Sequence, residues 1–315
     1  MSAKDAFARI QTYLLEKPRP LIGAETIQLV LMREILDYTI LRTEETRELN
    51  TLHTPFSMTK NDQTVRRVAF LATKQKAAES RELEHLLRTA RKVAGLPEQE
   101  CYLKDNLCMS CPRCGLYGAT STLAGQQERA NIKHRIEYST AFSLLSFEDV
   151  ATAATFNAIN DRNQITGQAL GQRFAVQPAT LFPSIVTLKS VTKLELIMVV
   201  KTLLSCKSYG AESRIGGDVR NSIWGIVAGW EEVITSLELT LELADKLDNL
   251  NSNIIKEILE EKYKLMTGNP QHVTVLEPEE VEGLIQACAN IDLDKAFLEK
   301  AYQDVADYRN EQLAR

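Results

Sequence analysis

Apolar and polar positions follow several different rhythms along this chain, and each rhythm predicts an element. Residues 5–16 place Ala6, Ile10, Tyr13 and Leu14 at helical spacing, and Pro18 and Pro20 end that element. From Ile27 to Thr43 the run IQLVLMREILDYTILRT is dominated by apolar and β-branched residues. Such a run fits either one buried helix or two strands broken near Glu34–Asp37; we read strands at 26–32 and 38–43. After a polar, irregular stretch, a helix is predicted at about 74–94. There Leu83, Leu86, Leu87, Ala90 and Val93 form an apolar stripe amid Arg and Lys, and Gly95 and Pro97 end it.

Residues 132–190 are strand-like and punctuated by Asn160, Asp161, Asn163 and Gly167. The segment 155–188 reads as a long hairpin excursion that returns into a buried strand. A helix follows at 192–206, where Leu194, Leu196, Ile197, Val200, Leu203 and Leu204 share a broad face. A polar, glycine-bearing loop then enters a strand at about 222–228. The remainder shows helical period in segments at about 234–248, 251–266, 278–289 and 293–312. No internal repeat and no low-complexity tract interrupts this order. The sum is an α+β chain, with strands in the first 230 residues and a helical tail.

Composition changes this picture little. Of the 315 residues, 44% are apolar and 25% charged, enough to bury a sizeable core. No stretch approaches the length of a transmembrane helix, and the polar start lacks the features of a secretory signal, so a cytoplasmic location and no membrane partner are expected. Charge changes it more. The total is −5, yet residues 231–315 hold 19 acidic against 8 basic side chains, leaving the first 230 residues at +6. Within those, 60–92 carries 9 basic against 4 acidic residues. A basic body with an acidic appendage admits a nucleic-acid partner that the net charge alone argues against.

Four of the six cysteines crowd into one short segment as C-x6-C-x2-C-x2-C: Cys101, Cys108, Cys111 and Cys114. Thiolates two residues apart can wrap a soft metal, and four complete a tetrahedron, so a structural zinc site is expected. An iron–sulfur cluster competes, but only part of a ferredoxin-like run is present. The long first step makes Cys101 the weakest ligand, and His85 or His134 is a possible replacement. Metal binding would supply folding free energy to a segment with few apolar residues. Cys206 and Cys288 stand in apolar surroundings and read as buried structural thiols.

Phosphate binding calls for cations and for backbone N–H groups that can approach closely. Arg66, Arg67, Lys74 and Lys76 lie in the basic stretch, Arg129, Lys133 and Arg135 flank a predicted strand, and Arg214 and Arg220 bracket Gly216 and Gly217. Taken singly, the loop 213–221 also fits a plain hairpin turn, and 60–92 a solvated helix face. No Walker loop, G-x-S-x-G, H-E-x-x-H or G-x-G-x-x-G is present, and the four histidines are scattered, so nothing argues positively for an enzyme.

Several blocks together resemble one family: IQLVLMREILDYTILRTEE (27–45), CPRCGLYG (111–118), AFSLLSFEDVATAATFNA (141–158), ATLFPSIVTLK (179–189) and LLSCKSYGAESRIGGDVRNSIWGIV (203–227). In that order, over roughly residues 20–240, the chain resembles the backbone subunit of the type I-D CRISPR Cascade complex, a member of the RAMP superfamily. The resemblance implies a modified RNA-recognition-motif (ferredoxin-like) palm from 1–45 and 132–250. It implies a thumb hairpin at about 157–180, with Asn160, Arg162 and Asn163 near its tip. It also implies an inserted basic, zinc-bearing segment at 46–131, with the acidic helical tail at 251–315 matching less clearly. The implied partners are crRNA, target DNA, further copies stacked head-to-tail and other Cascade subunits. The glycine loop would lie against guide phosphates, and the basic insertion would face guide or target. Related subunits elsewhere in the superfamily cut RNA through an aspartate. Asp37 lies where such a residue would fall, but its surroundings do not match. A metal-dependent nuclease and a zinc-stabilised adaptor therefore stand as alternatives to a non-catalytic guide carrier.

Overall fold

The computed structural model describes residues 6–42, 48–102, 106–120, 131–159, 162, 166–210 and 217–314. Its strands are β1 (Thr26–Ile35), β2 (Thr51–Pro55), β3 (Thr64–Phe70), β4 (Ile136–Tyr138), β5 (Ala141–Phe142), β6 (Ala151–Ile159), β7 (Thr166–Val176), β8 (Leu181–Lys189), β9 (Val219–Gly229) and β10 (Thr274–Val275). Its α-helices are α1 (Ala72–Val93), α2 (Pro112–Tyr117), α3 (Phe147–Val150), α4 (Lys193–Ser205), α5 (Ser236–Ala244), α6 (Ser252–Ile258), α7 (Lys264–Met266), α8 (Pro278–Asn290) and α9 (Lys295–Leu313).

The main sheet is antiparallel, in the order β10-β9-β1-β8-β4. Without the short edge strand β10, the chain reaches its four strands as strand, helix, two strands, helix, strand, with α1 and α4 as the two helices. Both faces of this sheet are covered. On β1, Ile27, Leu29 and Leu31 enter the core under α1, α4 and α8, while Val30 and Met32 enter a second core under α5 and α6. Alternate residues point to opposite faces of a strand, so a strand buried on both sides carries an unbroken apolar run. That is why Ile27 onward gives no alternation to read. The run is also one strand, Thr26–Ile35, rather than the two strands expected at 26–32 and 38–43; a bend follows it, and Thr39 makes only an isolated bridge to Val176.

α4 begins with a capping box, the Thr192 hydroxyl accepting from the Glu195 N–H while the Glu195 carboxylate accepts from the Thr192 N–H. Leu196, Val200 and Leu203 on it are fully buried, and such burial is worth about 1.5–3 kcal/mol per side chain. α1 starts two residues before its predicted position and packs on α4 and β4, so the basic segment contributes one of the helices that cover the sheet. The amino-terminal element is a 3-10 helix, Ala8–Tyr13, rather than the α-helix its spacing suggests; the chain turns extended at Leu14, and Leu15 bridges Thr192. The acidic tail folds back on the body, α8 against α4 and α9 against α2. Among the described residues no helix is long and apolar enough to cross a membrane.

Candidate nucleic-acid interface and metal centre

The sheet has two dissimilar ends. At the Glu34 end, β1 gathers two loop roots through its backbone. The Ile35 N–H donates to Thr180 O (3.0 Å), the Leu36 N–H to Asp218 O (2.8 Å) and the Thr39 N–H to Val176 O (3.1 Å). Thr180 and Val176 belong to the root of the β6–β7 hairpin, and Asp218 to the root of the glycine-bearing loop. The two features proposed from sequence to meet RNA therefore spring from the same end of one strand. The hairpin pairs Ala151 with Val176 and Ile159 with Thr166, with irregular register near Phe156–Asn157.

Gly217 closes the root of the second loop with φ +64°, and a Cβ there would lie 2.5 Å from the Gly210 Cα. Only glycine tolerates both the left-handed backbone and that approach. Arg220, on β9 opposite Glu34, is exposed and paired with the Glu34 carboxylate. Arg162 is exposed. Asn160, Asn163, Arg214 and Gly216, and Arg129 elsewhere, lie outside the described residues.

Beneath this end sits a polar network that the sequence did not signal. Arg33 on β1 is fully buried and pairs with the equally buried Glu79 of α1 at 2.7 Å. The Tyr209 hydroxyl donates to Glu79 at 2.8 Å and the Tyr138 hydroxyl at 2.6 Å, while Asn221 accepts from Arg33 at 2.7 Å. Burial opposes the charge on Arg33, but Glu79 together with Tyr209 and Tyr138 outweighs it and holds the guanidinium protonated. Tyr209, whose own N–H donates to Gly217 O at 3.2 Å, ties this network to the glycine loop.

Two of the proposed phosphate-binding arginines face inward. Arg67 is 2% exposed and donates to the carbonyls of Ser143, Leu144 and Phe56 and to the Thr54 hydroxyl. Burial without a carboxylate partner lowers its pKa to about 10. Arg135 is 1% exposed, forks onto the Glu195 carboxylate and donates to Ser190 O and Gly115 O. Both arginines are buried and donate to protein acceptors, although Arg135 Nε itself has no partner among the described residues. Arg66 remains at the surface with Glu148. Lys133 is exposed, and Lys74 and Lys76 are half-buried on α1. Desolvation, then the nearby Arg113, pulls Lys76 below the ordinary lysine range.

At the other end of the sheet, near Thr26 and Lys189, stands the cysteine group. The sulfurs of Cys101, Cys108, Cys111 and Cys114 all lie within 4.8 Å of one another. Cys101 Sγ is 3.6 Å from Cys114 Sγ and 3.7 Å from Cys111 Sγ. Metal–thiolate bonds of about 2.3 Å at tetrahedral angles require sulfurs about 3.8 Å apart, so the spacing fits a four-sulfur site. Local folding aims them inward. Met109 takes φ 57°, Cys111 caps α2 by accepting from the Cys114 N–H (3.4 Å), and Cys108 Sγ accepts from the Ser110 N–H (3.5 Å). Such N–H donors favour thiolate. Crowded together, the thiols compete for protons: accepting from Cys101 holds Cys108 well below the ordinary thiol range, and bonding to Cys108 pushes Cys101 above it. His85 and His134 are not in the group; they face Glu82 and Glu137 instead. Among the described residues this is the one cluster that can hold a metal ion.

The fold and site together define a class, an α+β protein whose antiparallel sheet carries a hairpin and a glycine loop at one end and a four-cysteine group at the other. The crystal structure of Thermofilum pendens Csc2 superposes with a TM-score of 0.70 at 21% identity, over 98% of this chain and 97% of that one. A chain of a CRISPR RNA-guided surveillance complex gives a TM-score of 0.43 at 12% identity over 74% of this chain and 84% of that one, too low to carry an argument. No curated protein is significantly similar in sequence. The Csc2 CRISPR family model matches residues 11–302, and the chain belongs to that family.

Proposed function

We propose that this chain is a crRNA-binding backbone subunit of a type I-D Cascade effector, a guide carrier rather than an enzyme. Family membership over residues 11–302 is the observation that carries the reading. Three features of the fold support it. The order β9-β1-β8-β4, with α1 and α4 as crossover helices, is what an RNA-recognition-motif palm requires. The β6–β7 hairpin serves in this reading as the thumb that reaches along the guide. The glycine loop rooted at Gly217 offers backbone N–H groups to phosphates, which carry no sequence information and so suit a carrier of any guide. Base pairing would then read sequence while protein reads shape.

The four cysteines hold zinc in this reading, as a closed structural site with no open position. Copies stack head-to-tail along the guide, a heterologous contact that propagates into filaments, and other Cascade subunits and target DNA complete the assembly. The chain works in the cytoplasm. The nuclease alternative rests on Asp37, which is exposed and accepts from the neighbouring Tyr38 N–H at 2.7 Å. Among the described residues Asp37 belongs to no group of three or more side chains that could hold a metal.

The test is co-expression with the neighbouring genes, followed by sequencing of co-purified RNA. Uniform repeat-flanked guides in a large assembly are expected. Clean protein free of RNA in every preparation would favour the adaptor. Metal-dependent cleavage abolished by Asp37→Ala would favour the nuclease.

A further inference from the structure

Beside the hairpin root lies a cluster of planar groups with no role so far. β7 leaves the third core with alternate residues on one face. Val176 is fully buried, and Phe174, two positions farther out, is 42% exposed. The Phe174 ring centroid lies 5.6 Å from that of Phe147, at 59° between planes. The guanidinium carbon of Arg66 stands 3.8 Å from the Phe147 centroid. Arg66 is fixed there because its Nε and Nη2 both donate to one oxygen of Glu148, at 3.2 and 2.8 Å.

Charge and shape then separate two possible ligands. A lone exposed arginine would suit a phosphate. Here Glu148 matches the charge of Arg66, and Glu148 is itself held below the ordinary carboxylate range, first by a backbone N–H bond, with Arg66 adding to it. A matched pair offers little net field to an anion. What remains on offer is flat, polarisable surface: an exposed phenyl face, a second phenyl and an oriented guanidinium plane. Those are the groups on which unpaired bases stack, and stacking is tolerant of base identity because every base has a π-face.

We propose that Phe174, Phe147 and Arg66 form a stacking seat for one unpaired nucleobase of bound single-stranded RNA, at the root of the hairpin. The proposal rests on the guide-carrier reading and gives Arg66 a different task within it: the arginine meets a base rather than a phosphate. The hairpin root shares the Thr39–Val176 bridge with the segment that contacts Gly217, so a strand whose phosphates run past the glycine loop is near enough to place a base here.

The experiment measures binding of the purified full chain to a mixed-sequence single-stranded RNA oligonucleotide, for the wild type and for Phe174→Ala, Phe174→Leu and Phe174→Tyr. One stacked base contributes enough that both the Ala and Leu variants should bind about tenfold more weakly. The Tyr variant, which keeps the aromatic face, should bind like wild type. In oligonucleotides bearing a single abasic position, the Ala penalty should vanish at one register and persist at the others. Phe174→Leu binding as tightly as wild type would overturn the seat while leaving the guide reading intact, because leucine fills the apolar space without a π-face. Equal weakening of all three variants, with lowered thermal stability, would show a packing role and overturn it too. A wild-type chain that binds no RNA removes the guide reading and the seat together.

Discussion

The two ends of the main sheet are held in place by different physics. At the Thr26–Lys189 end, four sulfurs within 4.8 Å stand over a patch whose described apolar partners are few: Ala119, Ile132 and Tyr308, with Leu107, Met109 and Tyr302 at the margin. A metal is the natural source of cohesion there. At the Glu34 end, backbone bonds from β1 and the residues just after it, with the buried Arg33–Glu79 pair, do the holding. One end has a four-cysteine group that could be closed by a metal. The other is the root from which the β6–β7 hairpin and the glycine-bearing loop depart. Binding surfaces are built this way when precision at a loop has to come from what lies beneath it.

The sharpest way to break the contrast is to remove the metal. Chelation, or Cys111→Ser, should release one metal ion per chain and unfold the segment around 101–119, because metal binding and local folding are one equilibrium. The main sheet, with its own cores on both faces, should keep its secondary structure. Metal content by elemental analysis and protease sensitivity near residue 100 check this together. Global unfolding on chelation would mean that the two ends are not independent. Acid should have the same effect as chelator, since the thiols must lose their protons to bind.

Next in size is the buried pair. Glu79→Ala leaves the Arg33 charge without its partner in a fully buried site, and losses of about 3–5 kcal/mol are usual when one member of such a pair is removed. Chemical denaturation measures it. Replacing both residues with apolar side chains of similar volume should recover much of the loss. If Glu79→Ala proves nearly neutral, the network is not what makes this end rigid.

Gly217→Ala comes third. The left-handed backbone alone costs about 1–2 kcal/mol for a non-glycine residue. The new Cβ would also fall 2.5 Å from the Gly210 Cα. The loop root has to move, so RNA affinity should fall several-fold while global stability changes little. An alanine variant with unchanged affinity would detach the loop from the binding surface.

How much of this was legible beforehand depends on what kind of signal a position carries. The helices α1 and α4 declared themselves through apolar spacing, and the cysteines through spacing alone, because thiolate geometry around a metal constrains sequence separation directly. The β1 run was ambiguous for a physical reason: burial on both faces erases the alternation by which a strand is recognised. The burial of Arg67 and Arg135 was not legible, because counting charges cannot distinguish a cation that faces solvent from one that threads the interior on carbonyls or a carboxylate. The network of Arg33, Glu79, Tyr138, Tyr209 and Asn221 draws on five separate segments, and no local pattern announces such a convergence. Nothing in the sequence pattern singles out Phe147 and Phe174, and their meeting with Arg66 depends on how the hairpin leaves the third core.

The smallest effect bears on the open end alone. Arg220 sits across from Glu34 on the exposed end of β9, with its side chain 55% exposed. Surface ion pairs of this kind are usually worth less than about 1 kcal/mol, so Arg220→Ala should leave the unfolding midpoint almost unchanged. Its effect belongs in binding. A cation that meets a phosphate releases a counterion, and for single strands each such contact adds about 0.7 to the slope of log affinity against log salt. Arg220→Ala should therefore weaken RNA binding by a similar factor for every sequence tested and flatten the salt dependence by about one contact. Glu34→Ala, which frees the arginine, should move both quantities the other way. A loss confined to particular sequences would place Arg220 against a base edge instead. If neither variant changes the slope, the pair only clamps β9 to β1, and the phosphate path runs elsewhere along this end of the sheet.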